Sequence, residues 1–193
     1  GPYEYCINTS VYLWCLPIVL NGSIVDWEPF FLYDENVTKF LKKMRVKTVY
    51  LSIAHLQENE ELYENFLQKL HSYGIEVHAL GGDATWASQH EEAYEFVDEV
   101  LRFNMNNSEK FDGIHLDIEC EDEDIDNYTI LLKDIKQHKY ENESMESQGL
   151  KLGIDVRFWW QDETRNYTWE LLNTSVDYIT VMAYREDYNT IIN

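Results

Sequence analysis

Basic residues are scarce in this chain: 15 Lys and Arg stand against 36 Asp and Glu among 193 residues, a formal net charge of −21 at pH 7. A surface of that sign repels phosphate backbones and anionic lipid headgroups, which argues against a nucleic-acid partner and against membrane insertion. Long apolar runs are also missing, since none approaches the roughly 18 residues that a spanning helix needs. No charged-then-apolar leader opens the chain, and the expectation is a soluble, mature domain. Cysteine is limited to Cys6, Cys15 and Cys120, which allow at most one disulfide and leave one thiol over. Without a C-x-x-C or the Cys/His spacing of a zinc site, neither a structural metal nor another cofactor is expected. What the chain does have is apolar and aromatic material, 45% hydrophobic and 15% aromatic, enough for one sizeable core and too much for a disordered segment.

Asparagine is followed by x-Ser/Thr at Asn8, Asn21, Asn36, Asn106, Asn127, Asn142, Asn166 and Asn173, eight sequons among 14 asparagines. With Ser and Thr at roughly a tenth of the chain, chance gives only about one or two. The excess points to a glycoprotein that passes through the secretory pathway to the extracellular space or cell surface, its signal peptide removed or lying outside this sequence. Gly1-Pro2 matches the remnant of a tag-removal protease and is left out of the fold reading, so the expected domain is a single one over 3–193.

Strand-like segments alternate with helical ones. Strands are predicted at 11–16, 47–54, 75–80, 112–118, 150–157 and 177–183, and apolar residues recur at helical spacing over 36–45, 59–72, 88–104 and 124–139. Regions 17–35 and 140–149 read as surface excursions. The alternation predicts an α/β fold of the TIM-barrel type with about six βα units and parallel strands, an incomplete version of a fold that typically takes about 250 residues. Either processing removes strands seven and eight, or an open six-stranded assembly has its edges covered by a protein partner or by self-association.

The segment Phe111-Asp112-Gly113-Ile114-His115-Leu116-Asp117-Ile118-Glu119 carries the chemistry. Side chains alternate along a strand, so His115, Asp117 and Glu119 face one way, into the barrel, while Ile114, Leu116 and Ile118 face the helices. Asp117 and Glu119 fall at the C-terminal strand end, where barrel enzymes place their active groups. Crowding two carboxylates there raises the pKa of one, which keeps a carboxyl protonated near neutral pH to act as a general acid.

Asp112-x-x-His115-x-Asp117-x-Glu119 resembles the D-x-x-D-x-D-x-E signature on strand four of glycoside hydrolase family 18, the chitinase family, with histidine at the second aspartate. Ala79-Leu80-Gly81-Gly82 followed by Trp86 is similar to that family's S-x-G-G on strand three, and Met182-Ala183-Tyr184 to its M-x-Y on strand six. The resemblance, spanning about 75 to 185, implies a barrel that cleaves or binds β-linked N-acetylhexosamine glycans by substrate-assisted catalysis, outside the usual two-carboxylate scheme. It implies Glu119 as general acid/base, Asp117 as the group that orients the substrate acetamido nucleophile, and Tyr184 as its hydrogen-bond partner from the opposite side. His115, Asp112, Met182, Gly81, Gly82 and Trp86 fall on the matched motifs as candidate substrate contacts, the glycines by allowing close approach to the strand-three backbone. Trp14, Trp86, Trp159 and Trp160 are candidates for stacking on sugar faces, and Asp155 and Arg157, on the inward face of strand five, either pair structurally or bind a polar substrate.

The departures from the family pattern set the alternatives. His115 cannot share a proton with Asp117 as a second aspartate would; protonated, it would hold Asp117 ionised, and neutral, it could only hydrogen-bond it. Ala79 lacks the family's serine hydroxyl. A non-catalytic recognition or assembly domain on the same scaffold, with a glycan or glycoprotein as partner, therefore stands beside the hydrolase. A metal-dependent phosphodiesterase-like site built from His55, His78, His115, Asp83, Asp117 and Glu119 is the third reading, weakened because His78 is expected to face the helices, opposite to Ala79.

Overall fold

The computed structural model describes residues 9–157, 172 and 174–182, Met182 by its backbone alone. Six parallel strands form one curled sheet in the order in which they occur: β1 (Ser10–Leu13), β2 (Thr48–Ser52), β3 (Glu76–Gly81), β4 (Gly113–Leu116), β5 (Lys151–Arg157) and β6 (Tyr178–Met182). Helices α1 (Glu35–Lys43), α2 (Glu60–Ser72), α3 (Glu91–Asn106) and α4 (Ile125–Gln137) alternate with the first five strands. The result is an α/β half-barrel, with every expected strand and helix present within a few residues of its expected span.

Local chemistry sets the helix limits. At the start of α1 the Asp34 carboxylate accepts the Asn36 N–H at 2.9 Å, Glu35 stands in the first turn and Lys42 and Lys43 in the last, each matched to the sign of the helix dipole. Helix α2 ends where Gly74 takes φ +73°, which lets Gly74 and Ile75 donate back to the His71 and Leu70 carbonyls. The outer face of the sheet carries Val49, Leu51, Val77, Ala79, Ile114, Leu116, Leu152 and Ile154, all buried against helix residues such as Leu67, Val97, Val100, Leu131 and Leu132. At about 25 cal/mol per Å² of apolar surface this layer is the main source of stability.

The inner face is polar and aromatic. Tyr12, Tyr50 and His78 lie side by side in register on β1, β2 and β3, and His115, Asp155 and Tyr178 continue the lining. His78 therefore points into the barrel and not toward the helices. The physical reason is the apolar pair flanking it: Val77 and Ala79 both enter the helix-facing core, and the alternation of the strand sends His78 the other way. Burial holds the His78 imidazole below its usual pKa, against the opposing pull of Glu76.

Two excursions gain structure. Residues Leu16–Leu20 and Ser23–Glu28 form an antiparallel hairpin around Asn21-Gly22, both with positive φ, the turn that an Asn-Gly pair favours. A shorter hairpin joins Lys139–Tyr140 to Glu143–Ser144. Cys15 and Cys120 are free and buried, while Cys6 lies outside the described residues. Among the described residues no helix is long and apolar enough to cross a membrane.

Gly153 shows how tightly the interior is fitted. A Cβ at this position would lie 2.0 Å from Cζ of Tyr178, so the ring occupies the space a side chain would need. Gly153→Ala is expected to destabilise the fold by roughly 1–3 kcal/mol through overpacking, and by much less in a Tyr178→Ala background. Equal losses in both backgrounds, measured by chemical denaturation, would rule out this packing account.

Candidate functional site

The site begins where β4 ends. Asp117 extends the ladder by donating its N–H to the Gly81 carbonyl at 2.9 Å, which keeps its side chain on the inward face. Gly82 supports this from β3: at φ +145° it adopts a backbone shape that side chains rarely take, and a Cβ there would meet the Asp117 carbonyl oxygen at 2.2 Å. Gly81 is equally constrained, with the Phe96 ring 2.6 Å from where its Cβ would stand. Both glycines thus first accommodate the protein's own atoms.

Glu119 is exposed beyond the end of β4, and its backbone carbonyl accepts a hydrogen bond from the Arg157 guanidinium at 2.6 Å. Asp117 lies in a crowded acidic setting. Burial, then the negative charges of Asp155 and Glu119, push its pKa up to about 7, with Arg157 opposing. Its Oδ1 is buried, with no hydrogen-bond partner among the described residues. Burial also pushes the neighbouring Cys120 thiol up to about 12, so that group stays protonated at neutral pH.

His115 does not bond Asp117. Its Nε2 lies 2.8 Å from Oδ1 of Asp155 and its Nδ1 2.9 Å from the Tyr178 hydroxyl, while its ring stacks on Tyr50 at 3.8 Å. The Tyr12 hydroxyl also donates to Asp155 Oδ1, and the Tyr178 hydroxyl reaches His78 Nδ1 at 2.8 Å, whose Nε2 faces Glu76 at 3.0 Å. Asp155 is accordingly in structural pairing. Register explains the choice of partners: His115 lies opposite Gly153, whose missing side chain makes room for the Tyr178 ring, and Asp155 stands two residues further along β5 on the same face.

Asp112, expected among the substrate contacts, is engaged elsewhere. It sits at the N-terminal end of β4, away from the mouth, where its carboxylate accepts the Val77 N–H at 2.8 Å and pairs with His71 Nε2 at 2.8 Å. That pairing raises the His71 pKa to about 9 and lowers that of Asp112. The first acidic residue of the motif therefore fastens β4 to β3 and α2 and lies apart from the other motif carboxylates.

Beside the strand-four carboxylates a cleft of about 490 Å³ opens over the C-terminal ends of β1, β2 and β3, lined by Trp14, Trp27, Ser52, Leu80, Gly82 and Trp86 among others. Trp14 and Trp27 are half-exposed, whereas Trp86 is buried against Phe96 with its indole N–H donated to Glu92 at 3.0 Å. The sequence reading did not select Trp27. Its signal was the Asn-Gly turn, which folds a hairpin back and delivers this indole to the mouth.

The set proposed for metal binding is not gathered. His78 and His115 are engaged inside the barrel, and His55 bonds Asp26 at the surface at 2.6 Å. Among the described residues no group of three or more His, Cys, Asp or Glu side chains could hold a metal ion. Tyr184, Trp159, Trp160 and the sequons at Asn8, Asn166 and Asn173 lie outside the described residues, as does the Met182 side chain.

A curled parallel α/β sheet alternating with helices, its acidic groups at the C-terminal end of the fourth strand, defines a partial barrel of the TIM type. The chain belongs to glycosyl hydrolase family 18: the family model described as "Glycosyl hydrolases family 18" matches residues 33–190. No curated protein matches it. Among solved structures it is similar to chitinase ChiW from Paenibacillus sp. strain FPU-7, a bacterial cell-surface-expressed multi-modular enzyme, at 20% identity and a TM-score of 0.46. That match covers 91% of this chain and 21% of the chitinase chain, so this sequence spans about a fifth of its neighbour's length.

The raised pKa of Asp117 has a consequence for stability. A carboxyl that binds its proton more tightly when folded contributes stability that is fully present below its unfolded pKa, roughly 4, and is lost as pH rises to about 7. Relative to the unchanged chain, Asp117→Asn is expected to gain stability progressively between these limits and to hold a constant advantage above them. A stability difference that does not vary with pH over that window would contradict the assignment.

Proposed function

We propose that this domain is a glycoside hydrolase of the secretory pathway acting on β-linked N-acetylhexosamine glycans, with Glu119 as general acid/base and Asp117 orienting the substrate acetamido group. The observation that carries this reading is Asp117 itself, a half-buried carboxyl whose pKa of about 7 lets it exist in either protonation state at neutral pH, next to the exposed Glu119 at a strand-end mouth. Family membership supports the same chemistry. Glu119 would give its proton to the glycosidic oxygen as the acetamido oxygen attacks the anomeric carbon, then recover a proton from the water that completes hydrolysis. Tyr184, on the family's strand-six motif, would hold the acetamido group from the opposite side. Trp14 and Trp27 offer indole faces to the sugar, and Arg157, bound to the Glu119 carbonyl, steadies the loop that presents the acid.

The secretory assignment is supported by accessibility: Asn21, Asn36, Asn106, Asn127 and Asn142, the five sequon asparagines among the described residues, are all exposed. The single-domain reading of 3–193 is part of the same proposal. The second reading, a recognition or assembly domain, draws on the hairpin Leu16–Glu28, which leaves Ile18, Val19, Leu20, Ile24 and Val25 exposed.

Hydrolysis of a fluorogenic N-acetylglucosaminide panel, run with glycan-array binding, separates the two. Glu119→Gln is expected to lower turnover by at least about 10²-fold with folding unchanged, and Asp117→Asn to lower it only on substrates that carry the N-acetyl group. Unchanged turnover in Glu119→Gln would eliminate the mechanism, equal rates with and without the N-acetyl group would eliminate acetamido participation, and binding without turnover would establish the recognition reading.

A further inference from the structure

Asp117 and Asp155 occupy neighbouring strands on the same inward face. The register of β4 on β5 runs through His115 opposite Gly153 and Leu116 opposite Ile154, so the next step sets Asp117 opposite Asp155, on strands about 4.8 Å apart. Each carboxyl group has one buried oxygen with no hydrogen-bond partner among the described residues, Oδ1 of Asp117 and Oδ2 of Asp155. The orientation of Asp155 is fixed from its other oxygen, because Oδ1 accepts from both Tyr12 and His115. A buried carboxylate oxygen left without a donor loses its hydration with nothing in return. On neighbouring positions of the same face, both oxygens can be relieved by a single proton held on one group and directed at the other.

We propose that Asp155 and Asp117 form a buried carboxyl pair that holds one proton between them, with Asp155 acting as a positioning residue that sets the protonation state of Asp117 through the charge it presents to it. The pairing stands on the geometry of β4 and β5; its bearing on turnover rests on the hydrolase reading given above. In this arrangement the neighbouring strand supplies the acidic partner that position 115 does not, and His115 serves by clamping that partner in place. The other groups facing the pair are Tyr12 from β1, His115 and Glu119 from the β4 segment, Arg157 from β5 and the buried Tyr128 from α4. Of these, Glu119 adds to the repulsion on Asp117 and Arg157 opposes it. Desolvation and the Asp155 charge, in that order, are the largest causes of the raised Asp117 pKa, which agrees with the pairing.

The test is carboxyl ¹³C NMR on the full chain labelled at aspartate. In the unchanged protein both carboxyl signals are expected to respond in the step near neutral pH in which the shared proton leaves, and an Asp155 signal that stays fixed while Asp117 titrates would overturn the proposal. Asp155→Asn keeps the shape of the side chain and an oxygen for Tyr12 and His115 while removing the charge. In this variant the Asp117 midpoint is expected to fall by at least one pH unit, a tenfold loss in proton affinity, and an unmoved midpoint would show that burial alone sets it. If the variant does not fold, the coupled titration of the unchanged chain decides the matter. With a turnover substrate in hand, Asp155→Asn should shift the Asp117 limb of the pH–rate profile to lower pH. A chain that turns over nothing yet shows the coupled titration would overturn the hydrolase reading and support the pair.

Discussion

The interior of this half-barrel depends on one buried acceptor, Oδ1 of Asp155, which receives hydrogen bonds from Tyr12 on β1 and His115 on β4. Removing a carboxylate from water is costly, and it is tolerated where strong donors converge on it. Here one donor comes from the adjacent β4 and the other from β1, at the far edge of the curled sheet, so satisfying Asp155 ties the curvature of the sheet to its chemistry. The Tyr178 hydroxyl extends the chain of contacts from His115 to His78, and Glu76 closes it near the opposite end of the strands. Tyr50 on β2 completes the set by stacking on His115. Each of the six strands thus contributes to one polar and aromatic lining, while the apolar core lies outside it, between sheet and helices.

That arrangement explains what the site retains and what it changes. The Asp117 carboxyl is half-buried at the end of β4, and Glu119 is exposed just beyond it. Histidine at 115 is compatible with them because its ring turns away from Asp117 toward Asp155. The glycines at 81 and 82 hold the mouth together by letting Phe96 and the Asp117 backbone approach strand three. A substrate in the aromatic cleft would therefore meet a wall whose shape is set by contacts within the protein.

Much of the architecture was legible because it rests on period. Strand and helix alternation predicted the parallel sheet, and the apolar Ile114 and Leu116 fixed the inward facing of His115. Applied to β3, the same rule would have turned His78 inward, since Val77 and Ala79 are its apolar flanks. The Asn21-Gly22 turn was also legible and announced a hairpin, and with it Trp27. The partners of His115 and Asp112 were not. Asp155 lies 40 residues from His115 in sequence, and the contact follows only from a register that no single strand encodes. Asp112 matched a motif by spacing, but a position at the start of a strand and one at its end meet different surroundings however short the strand.

The central claim is that Asp155 holds His115 by a proton on Nε2 inside the barrel. The most direct measurement is long-range ¹H–¹⁵N NMR of the histidine side chains in the unchanged chain at neutral pH. The account predicts a His115 ring with Nε2 protonated and that proton protected from exchange with water. A His115 ring whose Nε2 carries no proton, or whose ring protons exchange as freely as those of the surface His55, would contradict it.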